Sequence, residues 1–293
     1  MIKELLKIGA KVKTSTHRSP VNVKDKRINI VENIDLTKIN DCLKLIDGTD
    51  IVIHLAGEIA NPKYVASDFQ ITLNQITCFT NVIDASQRCG VKKFIDLNSG
   101  TGYPLKNHPI KEEEYWEGEP YISYYGYGWM RRYREKVMEH CSNISDMKIY
   151  IARASAVFGP NDNFDLDTCH VIPALIRRSL KGENPFIVWG KPDVVRDFIF
   201  VKDVVKGMLL IMDKGKSMEP YNLGSGESIT IGRLVDSILS FNNLDLKVKW
   251  DSTKPTTIPF KVTDINKIKK IGFSPKYTFE QGIKKTIEWF VNK

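Results

Sequence analysis

The chain has 293 residues, enough for one large or two smaller hydrophobic cores, and its 42% hydrophobic content is that of an ordinary globular protein. Its net charge of +8 is dispersed without a long basic block, so we expect no nucleic-acid partner and favour an anionic metabolite. The cysteines lack metal-ligand spacing, and neither a signal peptide nor an apolar run of membrane length is present; these features predict a cytoplasmic protein with free thiols, no bound metal and no membrane contact.

The first elements predicted are a helix and a strand of a dinucleotide-binding sheet. Residues 2–8 form an amphipathic pattern that ends at Gly9, and residues 10–16 are typical of a strand. In that fold they would be the first crossover helix and the second strand, and a glycine-rich phosphate turn should precede them. No Gly-x-x-Gly-x-x-Gly or Gly-x-Gly-x-x-Gly occurs in the first ninety residues.

Two explanations of the absent turn stay open. Either the chain is shortened by about 10–15 residues, for example through a start codon assigned too late, or a natural protein has lost cofactor binding. We favour a shortened chain, because losing a central strand would leave two unpaired sheet edges and exposed apolar helix faces. We expect the chain as written to fold poorly or to bind dinucleotide weakly.

An apolar strand and a helix follow. Residues 50–57 are almost continuously apolar, as a strand buried in a parallel sheet requires, and the small Ala56 and Gly57 would let a dinucleotide pass close to the backbone. His54 on this strand is expected to be structural. A helix is predicted from about residue 74 to residue 86.

The centre of the chain carries the candidate chemistry. Residues 94–99 predict a buried strand that ends at Ser99, and the next long helix carries Tyr127 and Arg131 one turn apart, so that their side chains can touch. A cation beside a phenol favours the phenolate and proton exchange near neutral pH. These three residues predict redox chemistry at a carbonyl or alcohol; the alternative is a tyrosine–arginine pair on a solvated helix.

These residues resemble the extended short-chain dehydrogenase/reductase superfamily of nucleotide-sugar epimerases, dehydratases and reductases, which uses Ser/Thr and Tyr-x-x-x-Lys. Ser99 and Tyr127 match, whereas Arg131 takes the lysine position with a wider, planar head. The resemblance implies NAD or NADP as cofactor and a homodimer formed through the long helices. It also implies an α/β fold. A doubly wound, Rossmann-like parallel sheet with its first strand missing would occupy residues 1–165, and a smaller domain, mainly for substrate, residues 166–293, with segments that return to the first domain.

The resemblance implies a row of cofactor contacts in the amino-terminal half. Arg18, after the second strand, would face the adenosine ribose or its phosphate, and Asp35 would approach the adenine. Leu55, Ala56 and Gly57 would line the path of the dinucleotide. The alternatives are a solvated loop cation for Arg18 and a turn or helix-cap residue for Asp35.

Two further segments resemble GDP-fucose synthase-like members of the superfamily. Residues 99–104 resemble their Ser-Ser-Cys-x-Tyr-Pro loop, with Thr101 in the place of a cysteine acid/base; a threonine is a poor base but can hydrogen-bond a sugar hydroxyl. Residues 169–175 resemble Ser-His-Val-Ile-Pro-Ala-Leu and imply that His170 is the acid/base that moves C–H protons. A loop hydroxyl and a helix-cap or surface histidine are the alternatives.

The substrate contacts implied by the resemblance are Asn163, Trp189, Arg196 and Lys254. A guanidinium forms paired, charge-assisted bonds with phosphate, so Arg196 is the predicted diphosphate ligand, unless it pairs with Asp197 or Asp203. Lys254 lies in a segment like the Lys-Pro loop of the GDP-fucose synthases. Two later replacements in that segment, of its glycine and its arginine, weaken the assignment of GDP as the nucleotide.

The sequence therefore predicts an NAD(P)-dependent nucleotide-sugar epimerase, reductase or dehydratase that acts on a nucleotide-diphospho-hexose. The alternative is a catalytically silent or truncated member that binds a sugar nucleotide or a protein partner. Three features motivate that alternative: the absent phosphate turn, Arg131, and Ala156, which lacks the amide that the family directs at its substrate.

Overall fold

The computed structural model describes residues 1–17, 20–57, 69–254 and 258–293, in which strands and helices alternate as in an α/β protein. The strands are β1 (Val12–Ser15), β2 (Ile28–Val31), β3 (Ile51–His54), β4 (Lys93–Ser99), β5 (Lys148–Ala154), β6 (Ala156–Phe158), β7 (Phe186–Trp189), β8 (Val195–Arg196), β9 (Phe198–Phe200), β10 (Pro220–Leu223), β11 (Ile229–Thr230), β12 (Val248–Asp251) and β13 (Phe260–Lys261). The helices are α1 (Ile2–Lys7), α2 (Ile39–Ile46), α3 (Phe69–Arg88), α4 (Tyr125–Ile144), α5 (Val171–Leu180), α6 (Val201–Lys214), α7 (Ile231–Phe241), α8 (Asn266–Lys270) and α9 (Phe279–Val291). Short 3-10 helices cover Gly100–Gly102, Glu112–Trp116 and Ile122–Tyr124.

A parallel sheet in the order β3-β4-β5-β10 forms the centre of the molecule. Strand β4 is paired along its whole length with β5, from Lys93 opposite Lys148 to Ser99 opposite Ala154. Successive side chains of β4 enter different cores, because neighbouring residues of a strand point to opposite faces. Phe94 packs with α2, α3 and α4, whereas Ile95 packs with α6 and β10. Helices thus cover both faces of the sheet, which confirms the predicted doubly wound α/β fold.

The sheet is interrupted between β1 and β3. Strand β1 pairs with β2, and β3 pairs with β4, but the described strands include none that joins the two ladders. Helix α2 connects the two parts, since it packs against both β1 and α3. Among the described strands, the two ladders β1-β2 and β3-β4-β5-β10 match a Rossmann-like sheet that lacks its first strand, as the sequence predicted.

A second hydrophobic core lies in the carboxyl-terminal half. It joins α5, α7 and α9 to β7 and β9, with Phe158, Ile176, Phe186, Leu234 and Ile283 among its buried side chains. Other segments of the carboxyl-terminal half pack on the central sheet instead. Strand β10 pairs with β5, and residues of α6 and α8 pack on the central sheet.

The predicted elements differ from the observed ones mainly at their ends. The helix expected over residues 74–86 runs from Phe69 to Arg88, five residues earlier at its start. The first helix ends at Lys7, and Gly9 follows with φ of 85°, a conformation that glycine adopts without strain. Arg18 lies outside the described residues. No helix of the described ranges is long and apolar enough to cross a membrane.

Candidate active site

Tyr127 and Arg131 form the pair that their spacing predicted. Arg131 Nη2 donates a hydrogen bond to the Tyr127 hydroxyl, and the guanidinium carbon lies 4.8 Å from the centre of the phenol ring. The same hydroxyl donates to Gln75 Oε1 of α3 over 3.4 Å. The phenol is therefore held between a cation on its own helix and an amide on the neighbouring one.

The Ser99 loop packs against the beginning of α4. Ser99 Oγ accepts hydrogen bonds from the Thr101 amide and the Thr101 hydroxyl, at 3.2 and 3.3 Å. Gly128 follows Tyr127 in the chain, and a β-carbon at Gly128 would lie only 2.8 Å from the Thr101 carbonyl oxygen. This close approach brings the two predicted hydroxyls to the turn of helix that carries the phenol.

Asn98 ties strand β4 to helix α4. Its Nδ2 donates to the Arg131 carbonyl over 3.1 Å and to Glu135 Oε1 over 2.8 Å, and its Oδ1 accepts from the Ser99 amide over 2.9 Å. Arg153 of β5 donates to both oxygens of Glu135, and all three of these polar side chains are buried. The network holds the backbone of Ser99 and that of Arg131 at one fixed separation.

Arg132 of α4 binds the same loop and the segment that precedes this helix. Its Nε donates to the Gly102 carbonyl over 2.9 Å, and its Nη1 donates to the Gly118 carbonyl over 2.7 Å. The guanidinium carbon lies 4.9 Å from the centre of the Trp129 ring and 5.5 Å from that of the Trp116 ring. Arg132 is 2% exposed, so these contacts replace its hydration.

His54 belongs to a buried cluster of ionisable side chains with Asp96 and Arg134. Its Nδ1 lies 2.9 Å from Asp96 Oδ1, and Arg134 pairs with the same carboxylate. Burial lowers the pKa of His54, which is 4% exposed. Burial opposes ionisation of Asp96, but Arg134 and His54 outweigh it and lower the pKa of that carboxyl. The structural role expected for His54 is therefore confirmed.

Three of the predicted cofactor residues lie beside β3, at the edge of the described central sheet. Leu55, Ala56 and Gly57 follow the carboxyl end of β3 and are exposed. A β-carbon at Gly57 would lie 3.2 Å from Gln75 Oε1, the atom that also accepts from the Tyr127 hydroxyl. The Gln75 side chain thus lies between exposed residues 55–57 and the Tyr127 hydroxyl.

Asp35 forms a turn at the beginning of α2. Its Oδ1 accepts from the amide and the hydroxyl of Thr37, at 3.0 and 2.7 Å, and these bonds lower the pKa of the carboxyl. The carboxylate is thus engaged in the local turn that was the alternative to adenine binding. Its second oxygen lies 3.9 Å from Lys38 Nζ.

Asn163 lies in the loop before α5, and His170 lies at the start of that helix. His170 is the exposed residue at the amino-terminal cap of α5, and its side chain makes no capping bond. Asn163 uses its amide within the loop: Nδ2 donates to Thr168 Oγ1 over 2.8 Å, and Oδ1 accepts from the Asp165 amide over 2.9 Å. The described hydrogen bonds therefore explain Asn163 as a loop-shaping residue.

Arg196 reaches the 3-10 helix that precedes α4. Burial lowers its pKa, and Tyr124 and Tyr121 are near enough to act in the opposite direction. The two carboxylates considered as its partners are engaged elsewhere. Asp197 accepts from Ser225 and Thr263, and Asp203 accepts from the Lys276 and Tyr277 amides.

Trp189 and Lys254 come together at the ends of β7 and β12. Trp189 is 57% exposed, and Lys254 Nζ lies 5.7 Å from the centre of its ring. An exposed indole beside a cation can stack on an aromatic base and attract a phosphate. The structure thus joins two residues that the sequence analysis named separately.

The sequence model of a family described as the NAD dependent epimerase/dehydratase family matches residues 1–224 of the chain. The chain belongs to this family. The probable GDP-L-fucose synthase 1 of Oryza sativa subsp. japonica is 33% identical over 242 residues, which cover 78% of this chain and 69% of the relative. The GDP-mannose 3,5-epimerase of Arabidopsis thaliana is 26% identical over 264 residues, covering 87% of this chain and 69% of the relative.

Solved structures of the family share the fold. A GDP-L-fucose synthetase from Naegleria fowleri superposes with a TM-score of 0.81 at 25% identity, covering 91% of this chain and 86% of the other. The UDP-glucose 4-epimerase of Thermotoga maritima reaches a TM-score of 0.89 at 23% identity, covering 99% and 94%, and supports the fold alone. The Naegleria protein was also solved bound to NADP.

The site of this epimerase-family chain fits the nicotinamide half of a dinucleotide. The exposed Leu55–Gly57 strip is linked by Gln75 to Tyr127, and Arg131 supplies a cation where the family has lysine. Leu55 and its neighbours end a strand at the switch point of the sheet, where doubly wound proteins bind ligands. For the pyrophosphate half, the first ninety residues offer no glycine-rich turn.

Sequence reasoning missed several residues that build this site, among them Asn98 and Arg132. Asn98 is a polar residue inside an apolar strand, directly before Ser99, and that position was an available signal. Arg132 was not singled out, and no local pattern marks it as a residue that binds the Gly102 carbonyl. Its partners are brought together by the fold alone.

Proposed function

We propose that this epimerase-family chain is an NAD(P)-dependent enzyme that oxidises or reduces a carbon of a nucleotide-diphospho-hexose, as an epimerase, reductase or dehydratase does. One observation carries the proposal. The Tyr127–Arg131 pair lies on the helix turn that packs against the loop of Ser99 and Thr101. Relatives named for GDP-sugar synthesis and epimerisation support this substrate class.

In the proposed mechanism Tyr127 exchanges a proton with a sugar oxygen. When the sugar is oxidised, the deprotonated Tyr127 oxygen takes the hydroxyl proton while the C–H bond breaks as hydride; in reduction the protonated Tyr127 hydroxyl returns that proton as hydride is added. NAD(P), when bound, supplies or accepts that hydride. Arg131 stabilises negative charge on the phenol oxygen through its hydrogen bond, and Ser99 Oγ donates to the same sugar oxygen.

The remaining predicted residues are proposed to hold or epimerise the sugar nucleotide. Both Thr101 and His170 would serve epimerisation, His170 by moving protons at C–H positions and Thr101 by hydrogen-bonding a sugar hydroxyl. The exposed place of His170 at the start of α5 is compatible with substrate contact. Arg196, Trp189 and Lys254 would hold the nucleotide, supported by the half-buried guanidinium and by the indole–ammonium pair. Asn163 would shape the loop between them.

A proposed homodimer would form through α3 and α4. Both helices expose large apolar side chains, with Phe69 74%, Leu73 38% and Tyr133 50% exposed. Surfaces of this kind are typical of protein interfaces. We also propose a cytoplasmic protein that binds no nucleic acid, supported by five free cysteines and by the dispersed positive charge.

The Tyr127→Phe variant tests the enzymatic proposal. Loss of the proton-exchanging hydroxyl should lower kcat by about 10²–10⁴-fold, measured as NAD(P)H absorbance change with a panel of GDP-, UDP- and dTDP-hexoses and their keto derivatives. The matched control is Tyr125→Phe, half exposed and two residues earlier, which should keep wild-type turnover. Unchanged turnover of Tyr127→Phe would contradict the assignment.

The second candidate function is a silent member that binds a sugar nucleotide or a protein. The replacement of the family's lysine by Arg131 favours it. Equilibrium dialysis against NADH and NADPH separates the two functions. Tight dinucleotide binding would contradict a catalytically silent function. Sugar-nucleotide binding without dinucleotide binding would support it.

A further inference from the structure

A buried cluster of four side chains joins two strands and two helices of the central layer. Arg134 of α4 donates through Nη2 to Asp96 Oδ1 of β4, and the same nitrogen lies 2.9 Å from His54 Nδ1 of β3. The guanidinium carbon lies 4.5 Å from the centre of the Phe79 ring of α3. All four side chains are at most 4% exposed. One guanidinium thus connects four elements, and we call these four residues the Arg134 cluster.

On the strands, the Arg134 cluster lies beside the residues proposed to contact the cofactor and the sugar. His54 is the last residue of β3 and directly precedes Leu55, and it lies opposite Asp96 in the register of β3 and β4. Asp96 lies three residues before Ser99. Paired residues of neighbouring strands point to the same face. The 2.9 Å contact between His54 and Asp96 therefore holds the ends of both strands together.

On the helices, the cluster lies about one turn from the residues that contact the phenol. Arg134 follows Arg131 by three residues and Tyr127 by seven, so these three side chains share one face of α4. Phe79 follows Gln75 by four residues, which is one turn along one face of α3. Gln75 and Arg131 both bond to the Tyr127 hydroxyl, so the Arg134–Phe79 contact joins the two helices that hold the phenol.

The ion pair of the cluster contributes direction more than net stability. Desolvation of two buried charges offsets their attraction, and an apolar pair of similar volume is often as stable. Three buried atoms of the cluster, Asp96 Oδ2, Arg134 Nε and His54 Nε2, also make no hydrogen bond within the described part of the chain. A guanidinium, however, binds its partners only along its N–H groups, whereas apolar side chains pack in many directions. The cluster therefore fixes how the four elements lie against one another.

We propose that Arg134, through Asp96 and His54, is a positioning residue that sets the place of the Tyr127 phenol relative to the end of β3, where the dinucleotide is proposed to bind. This inference rests on the proposed function. Arg134 contacts none of the groups that exchange protons with the sugar in the proposed mechanism. Loss of its contacts should let α4 shift against β3 and β4, and a shift of about 1 Å can lower a rate by about 100-fold.

Two variants separate position from stability. Arg134→Met leaves the Asp96 carboxylate buried without its cation, so the melting temperature should fall by about 5–15 °C. Asp96→Leu/Arg134→Met replaces both charged groups with apolar ones, so the melting temperature should return to within about 5 °C of the wild-type value. In this double variant kcat should stay about 10- to 100-fold below wild type, while KM for the sugar nucleotide changes by less than about threefold.

Hydrogen exchange measures the placement without turnover. Peptides that cover residues 51–57 and 127–135 should exchange at least about threefold faster in the double variant than in the wild-type protein. Peptides that cover α5 in the carboxyl-terminal core should exchange as in wild type. Glu139→Gln is the matched control, because it breaks the exposed Lys136–Glu139 pair on the same helix. This control should keep the wild-type kcat and exchange.

The outcomes separate the inference from the proposed function. If the wild-type protein turns over a nucleotide sugar and the double variant regains wild-type kcat or wild-type exchange, the positioning role of Arg134 is overturned and the proposed function stands. If the wild-type protein turns over no nucleotide-diphospho-hexose of the assay panel, the proposed function is wrong and the inference falls with it.

If the double variant is unfolded, His54→Phe decides. This change keeps the Asp96–Arg134 pair and an aromatic ring but removes the contact with β3. A lowered kcat at an unchanged melting temperature would support the inference, and a wild-type kcat would overturn it.

Discussion

Asn98 contributes three hydrogen bonds that no other residue of the site replaces. Its amide contacts the Ser99 amide, the Arg131 carbonyl and Glu135, so one side chain sets the distance between strand and helix. Such a residue is a positioning residue, because it acts on substrate only through the backbone that it holds. Its effect should appear in kcat more than in KM.

The Asn98→Ala variant tests this role at the scale of a residue. The free energy of unfolding should fall by about 1–3 kcal/mol, because buried partners lose a hydrogen bond, and kcat should fall while KM changes little. Urea unfolding and steady-state kinetics measure the two effects. Asn40→Ala, at an exposed site of α2, should change stability by less than about 0.5 kcal/mol. If Asn98→Ala keeps the stability and the kcat of the wild-type protein, the positioning role of Asn98 is wrong.

At the scale of elements, the site depends on how closely helix α4 approaches the Ser99 loop. Two glycines at its start differ sharply in their surroundings. A β-carbon at Gly128 would lie 2.5 Å from Pro120 Cβ and 2.8 Å from the Thr101 oxygen, whereas nothing lies within 4 Å of one at Gly126. The close approach therefore requires glycine at one position and not at the other.

This difference gives a matched pair of variants. Gly128→Ala should lower the free energy of unfolding by about 1–3 kcal/mol and reduce kcat, because the helix must move away from Ser99 and Thr101. Gly126→Ala should be neutral or stabilise by up to about 1 kcal/mol, since alanine favours helix. Thermal melts and turnover assays measure both. Equal behaviour of the two variants would refute the close-packing argument.

For the whole molecule, the exposed apolar surface of α3 and α4 is the feature that a monomer leaves unexplained. Tyr133→Glu should convert the proposed dimer to a monomer, because it places a charge in an apolar interface. Light scattering after size-exclusion chromatography measures the mass. Phe241→Glu, a change at a 39% exposed residue of α7, should leave the dimer intact. A wild-type mass equal to one chain would reject the dimer.

The sequence by itself determined the features that depend on nearby residues. The helical repeat places Tyr127 and Arg131 side by side, the apolar run before Ser99 makes a buried strand, and glycine ends the first helix. Ordered motifs along the chain were enough to predict the family, which the comparisons confirm.

Only the tertiary structure decided which distant residues meet. Asn98 bonds to Arg131 and Glu135 because a strand and a helix pack face to face, and Arg134 reaches Asp96 in the same way. No local periodicity encodes these contacts, since they join positions more than thirty residues apart. Likewise, the resemblance implied a substrate contact for Asn163, and only the folded loop shows that its amide bonds to Thr168 and Asp165.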